Sequence, residues 1–237
     1  MKKSFNLLFF IIVVIIGSFW FANSAHEEGT PQKTNSNPFL KVEEKKIKVG
    51  LQAGHWKNSE LPDELENLRL YGGGGEFQGK FEWKINLSVA EKAAEILKKS
   101  GIEVDILPAT VPNDYKADLF VSIHCDGNDV TSVSGYKVAA SNFDKSEQAE
   151  KLSESIYDEY GKITKLKTEP NITKDMTEYY VFNYINFHHS INPETPGVIV
   201  EMGFLTNTKD QQIIVYNQDL AAKGIAEGIL KYLGISS

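Results

Sequence analysis

Apolar residues recur along this chain with two periods, and the periods take turns. Residues 46–53 (Lys-Ile-Lys-Val-Gly-Leu-Gln-Ala), 118–123 (Asp-Leu-Phe-Val-Ser-Ile) and 197–202 (Gly-Val-Ile-Val-Glu-Met) are short, mostly apolar runs. Runs of this length read as strands buried on both faces of a parallel sheet. Residues 102–107 alternate as a further strand, 134–140 as another, and 179–185 (Tyr-Tyr-Val-Phe-Asn-Tyr-Ile) also read as extended. Helical spacing fills the gaps. Over 83–99, Ile85, Val89, Ala93 and Ile96 recur at three- and four-residue intervals, Lys98 and Lys99 occupy the last turn, and Gly101 follows as a C-terminal cap. A second helix is predicted over 144–160, with Ala149, Leu152 and Ile156 on one face and Gly161 after it. Short helical turns near 208–215 and a last helix at 217–233 complete the pattern. Alternation of strand and helix predicts an α/β fold with a mostly parallel twisted sheet flanked by helices, as a single domain over residues 46–235. The stretch after the first strand is a long loop ending in Tyr71 and Gly72–Gly75, too rich in glycine for regular structure and read as a flexible rim.

Three of the buried runs lead into residues that can bind or activate a metal. The first runs into Gly54 and His55, the second into His124, and Gly197–Val200 runs into Glu201. Ligands of open parallel sheets bind at the carboxyl ends of the strands, so these side chains converge on one crevice. A catalytic zinc site has three protein ligands and an open position. His55 and His124 supply two. For the third, Glu82 comes first, at the start of the helix that opens after the glycine run; Glu76, beside that run, is the alternative. Glu201 ends an apolar strand. A carboxylate in such a place is paired, metal-adjacent, catalytic or capped by backbone amides, and beside a metal it would serve as general base and then as proton donor.

Other residues carry weaker signals. Cys125, the only cysteine, alternates in direction with His124 and reads as a small buried residue; no intrachain disulfide exists. His188 and His189 lie in a polar loop, either solvated or, for one of them, lining the groove. His26 has no chemical reading. Ser122 has no base and orienter in sequence, and Gly72–Gly75 lacks the Lys-Ser/Thr ending of a phosphate loop.

The N-terminus changes the picture of where the domain works. Lys2 and Lys3 precede an apolar run from Leu7 to Ala22, and Ala22-Asn23-Ser24 offers small residues for a cleavage site before Ala25. Residues 1–25 therefore read as a cleaved signal peptide or a retained membrane anchor, and 26–45, with little apolar content, as a linker. The expected location is the cell wall or the outer face of the cytoplasmic membrane. Net charge is −7 and Arg69 is the only arginine, so nothing resembles a nucleic-acid footprint. A monomer is expected.

Four segments then resemble, in order, the signature blocks of zinc-dependent N-acetylmuramoyl-L-alanine amidases of the amidase 3 type. They are Val49–His55, Glu82–Leu87, Ala117–Gly127 and Gly197–Asn207. The resemblance implies that His55, Glu82 and His124 bind zinc, which selects Glu82 over Glu76, and that Glu201 is the catalytic carboxylate. It implies hydrolysis of the amide between N-acetylmuramoyl and L-alanine in peptidoglycan. Tyr179–Asn183 resembles, more loosely, the segment that flanks the family's groove. Trp56 stands where the family mostly has glycine, and 108–117 is shorter than the usual helical segment. An inactive peptidoglycan-binding module and a zinc peptidase acting on the stem peptide are the competing readings.

Overall fold

The computed structural model describes residues 46–236. Residues 1–25 and 26–45, read above as export segment and linker, lie outside the described residues, as does His26.

Five strands form one sheet: β1 (Lys48–Ala53), β4 (Glu103–Leu107), β5 (Leu119–Asp126), β6 (Lys137–Ala140) and β7 (Gly197–Phe204), in the order β4-β1-β5-β7-β6. The β4/β1, β1/β5 and β5/β7 pairs are parallel, and β6 runs antiparallel along β7. The inner strands are buried almost throughout, as their unbroken apolar runs require. A two-residue hairpin, β2 (Glu76–Phe77) with β3 (Lys80–Phe81), stands apart.

The two faces are covered differently. Helices α2 (Glu82–Lys99), α3 (Ala149–Thr164) and α6 (Gln218–Leu233) pack on one face, where Val49, Leu51, Val121, Ile123 and Val200 meet Val89, Ile156, Ile225 and Ile229 in the main core. The other face carries Phe120 and Ile199 and is closed by loop residues, among them Val111, Tyr115, Val181, Phe182 and Ile191. The large helices thus lie on one side, while irregular segments and the short helix α4 (Lys174–Thr177), which contributes Met176, seal the other; α5 (Thr208–Ile214) follows β7, where short helical turns are expected.

Where element boundaries differ from expectation, local chemistry explains it. Helix α3 starts at Ala149 rather than 144 because the Asp144 carboxylate accepts from the backbone N–H groups of Ser146, Gln148 and Ala149, holding a turn ahead of the helix. Gly161 lies inside α3. A Cβ there would sit 2.2 Å from the Tyr136 hydroxyl, so the glycine serves close packing, and Lys165, at φ 59°, ends the helix instead. Residues 179–185 are not a strand. Tyr180–Phe182 form a single 3-10 turn that buries the adjacent side chains Val181 and Phe182 together, which an alternating strand cannot do. The long loop after β1 holds 3-10 turns at Asn58–Glu60 and Asp63–Leu65 and a short helix α1 (Glu66–Tyr71). Arg69 ties it together, donating to the Leu61 carbonyl and the Asp63 carboxylate.

Candidate active site

Strands β1 and β5 are neighbours whose connections leave in opposite directions, to β4 and towards β7, so their carboxyl ends frame a crevice. His55 stands just past β1 and His124 near the end of β5. Glu82 opens α2. Ligand atoms of these three residues lie within 4.8 Å of one another.

Each of these three side chains is aimed by a neighbour. His55 Nδ1 lies 2.7 Å from the Gly72 carbonyl oxygen. A carbonyl only accepts, so Nδ1 carries the proton and Nε2 presents its lone pair, 3.4 Å from Glu82 Oε1. Burial lowers the His55 pKa and the proximity of His124 adds to this, which favours the neutral ring; Glu82 and Gly72 pull the other way. The His55 backbone is left-handed, φ 63°, a strained state for this residue of the kind that collects at functional sites.

His124 is buried and turns Nδ1 to the same Glu82 oxygen, 3.2 Å away. Its Nε2 meets the Tyr179 hydroxyl at 3.2 Å, and its ring packs edge-on to those of His55 and Tyr179. Glu82 is held most firmly. Its Oε2 accepts from the Gly75 N–H at 2.7 Å, and Oε1 from Asn86 Nδ2 and the Cys125 N–H, both at 3.2 Å. Burial pushes its pKa up, but the His124 hydrogen bond, the two imidazoles and the Gly75 N–H outweigh this and bring it down to about 2.

Two glycines make room for the cluster. A Cβ on Gly54 would lie 2.3 Å from the His124 ring. A Cβ on Gly74, at φ +79°, would lie 2.8 Å from the His55 ring. The glycine run read as a flexible rim is therefore the wall against which His55 and Glu82 are set.

Glu201 is opposite His124 in the β5/β7 register, on the face away from the large helices. Part of the residue meets solvent, yet its Oε2 is buried with no hydrogen-bond partner among the described residues. Burial raises its pKa well above the usual carboxylate range, helped by the charges of Glu82 and Asp126, while Lys137 opposes. Lys137 is itself buried, opposite Glu201 on β6, and pairs with Asp126 at 2.6 Å.

The remaining sequence candidates are elsewhere. Glu76 is exposed on the hairpin and outside the cluster. Cys125 is buried in the main core on the helix side, and burial raises its thiol pKa strongly. Ser122 donates to Gln52 at 2.6 Å. The backbone N–H groups of His188 and His189 both bind the Glu64 carboxylate, which fastens the loop while His188 stays exposed and His189 is half-buried. Sequence reasoning missed Asn86 and Lys137. Asn86 falls four residues after Glu82 on the buried face of α2, where a polar residue stands out. Lys137 is a lone cation in a buried strand.

Two imidazole nitrogens and one ionised carboxylate, preset around a small space beside a partnerless buried carboxylate oxygen, fit a divalent zinc-type cation. A family model described as N-acetylmuramoyl-L-alanine amidase (Amidase_3) matches residues 49–231. The chain is 29% identical over 198 residues to the uncharacterized protein YqiI of Bacillus subtilis (strain 168), a match covering 73% of this chain and 89% of that protein. It is 27% identical over 169 residues to the N-acetylmuramoyl-L-alanine amidase LytC of the same organism, covering 65% of this chain but only 32% of LytC. Among solved structures, the catalytic domain of CwlV, an N-acetylmuramoyl-L-alanine amidase from Bacillus (Paenibacillus) polymyxa var. colistinus, superimposes with TM-score 0.56 at 21% identity, covering 80% of this chain and 99% of that one. An N-acetylmuramoyl-L-alanine amidase from Clostridium difficile 630 gives TM-score 0.56 at 20% identity, covering 81% and 99%. At these identities the solved structures establish the fold.

Proposed function

This chain belongs to the Amidase_3 family of N-acetylmuramoyl-L-alanine amidases, peptidoglycan hydrolases, and from that premise we propose that His55, Glu82 and His124 hold zinc and that Glu201 is the catalytic carboxylate. The observation that carries the assignment is the Glu82 carboxylate. It is buried, ionised and set within reach of both imidazoles, while a second carboxylate with a free oxygen stands across the strand pair.

When bound, zinc supplies a Lewis acid that lowers the pKa of water and polarises the substrate carbonyl. The chain's own residues do the rest. Gly72 fixes the His55 tautomer, Tyr179 orients His124, and Asn86 with the Cys125 and Gly75 N–H groups fixes Glu82. The Glu201 carboxylate removes a proton from water as the water oxygen attacks the lactyl carbonyl carbon. The same carboxylate then returns that proton to the alanine nitrogen as the C–N bond breaks. A carboxylate with raised proton affinity suits both halves of that cycle. The products are a lactyl carboxylate on the glycan and a stem peptide with a free N-terminal L-alanine.

The export reading is also a proposal. Residues 1–25 would carry the domain out of the cytoplasm, as a cleaved signal or a retained anchor, with 26–45 as linker and residues 46–235 acting as a monomer on the wall. Among the described residues no helix is long and apolar enough to cross a membrane.

Metal analysis of the purified protein tests the ligand set. One zinc per chain is expected, with loss in His55→Ala, Glu82→Ala and His124→Ala and retention in Glu76→Ala. Full zinc in all three ligand variants would overturn the site. Loss in Glu76→Ala with retention in Glu82→Ala would reassign the third ligand.

A further inference from the structure

Each of two proposed metal ligands is followed directly by a tryptophan, and both indoles line one cavity. Trp56 follows His55 and Trp83 follows Glu82. The cavity, about 370 Å³ and open to solvent, borders His55 and Gly73 and includes Asn58 and Ser59 in its wall. A space of that size suits a small ligand or a single sugar ring.

The sequence and backbone explain how the two rings come together. The left-handed residues His55 and Lys57 turn the chain sharply after β1 and bring Trp56 round beside the cluster. Trp83 projects from the first turn of α2, ahead of the stretch packed on the sheet. Both indoles are half-buried. Trp56 rests partly on the main core. Among the described residues neither indole N–H has an acceptor. Lys57 and Lys84 lie over the two rings, 5.4 Å from each centroid; both side chains are exposed, Lys57 also reaching Glu60 at 3.6 Å.

Large aromatic faces left half-open beside a reaction centre, with donors and small polar groups at their edges, match one chemistry closely. A pyranose ring offers an apolar C–H face for stacking, and hydroxyl and acetamide groups at its rim for hydrogen bonding. We propose that Trp56 and Trp83 form a glycan subsite that holds an N-acetylated sugar next to the scissile lactyl amide. This rests on the amidase reading and adds a direction to it. The glycan strand runs to the His55 and Gly73 side. The stem peptide takes the other flank, where a second cavity of about 140 Å³ borders Glu82 and is edged by Asp126, Gly127, Leu205 and Thr206.

The chain has three tryptophans, and the third, Trp20, lies in the export segment. In a full-length Trp20→Phe protein, indole emission comes from this cavity alone. The experiment titrates that protein with two probes. One is a soluble, peptide-free glycan of alternating N-acetylglucosamine and N-acetylmuramic acid, and the other is free stem peptide. The glycan should shift the emission saturably and the peptide should not. Trp56→Ala should weaken glycan binding about tenfold, the loss of one stacking contact, with zinc content unchanged and Trp56→Phe restoring most of it. An emission change with stem peptide and none with glycan would overturn the subsite, and so would unaltered glycan affinity in Trp56→Ala. Amide cleavage by wild type without any glycan-dependent emission change would sink the subsite alone. Glycan binding without cleavage would sink the amidase reading and leave the subsite standing.

Discussion

Asn86 sits one helical turn after Glu82 and fastens it, donating from Nδ2 to Glu82 Oε1 and to the Gly54 carbonyl, 3.2 Å each. One side chain thus joins the first turn of α2 to the end of β1, and through them two of the three proposed ligands. Groups that orient a metal ligand are typically worth about ten- to a hundredfold in metal affinity. Asn86→Leu keeps the volume and removes the donor. Zinc affinity, read by competition with a chelator, should fall within that range. Unchanged affinity would show that Glu82 is held adequately by Gly75 and Cys125.

Gly54 and Gly127 make a matched pair of substitutions. A Cβ at Gly54 would overlap the His124 ring, whereas nothing lies within 4 Å of one at Gly127. Overpacking of this kind costs about 1–3 kcal/mol. Gly54→Ala should lower the melting temperature and lose zinc, and Gly127→Ala should do neither. Equal behaviour of the two variants in thermal melts and metal analysis would contradict the close approach.

The loop over residues 187–190 is tied to the segment after β1 by Glu64, whose carboxylate accepts from the N–H groups of His188 and His189 and lies 2.6 Å from His189 Nδ1. Partial burial raises the Glu64 pKa, but those hydrogen bonds outweigh it and leave it below the ordinary 4.5. A depressed carboxylate pKa means stability that is present above 4.5 and disappears as pH falls through the folded value. Glu64→Gln should therefore destabilise the protein at neutral pH and flatten its loss of stability below about pH 4.5. Melting curves of wild type and variant that stay parallel from neutral to acid pH would contradict this.

Export is testable independently of catalysis. Protease treatment of intact spheroplasts should remove the domain if residues 1–25 are an anchor, and the wall or medium fraction should contain it if they are cleaved. Protection from protease inside intact cells would refute both forms.

Much of the candidate site is legible in the sequence, because metal-ligating residue types and strand burial both leave marks there. His55, His124 and Glu201 each end an apolar run, and a parallel sheet brings such ends together whatever the loops do. Glu82 was legible only as the opening residue of a helix, so Glu76 stayed beside it until the four-block resemblance chose. In the structure three donors converge on Glu82, which groups with His55 and His124, while Glu76 is exposed. Contacts fixed by tertiary packing left no such mark. Tyr179 reaches His124 from just ahead of a 3-10 turn, in a segment that reads as extended in sequence. Gly161 looks like a helix stop and is a packing contact with Tyr136. His188 and His189 find their partner more than a hundred residues away in the chain, at a carboxylate that pattern alone does not single out.

The central claim joins one bond to one residue, and mass analysis of purified peptidoglycan after digestion tests both together. The wild-type protein should release stem peptides with a free N-terminal L-alanine and leave glycan bearing lactyl carboxylates. Glu201→Gln, which keeps the size of the side chain and removes the base, should retain zinc while release falls by about two to four orders of magnitude. New amino termini within the stem with the muramoyl–alanine bond intact, or wild-type release by Glu201→Gln, would contradict the account.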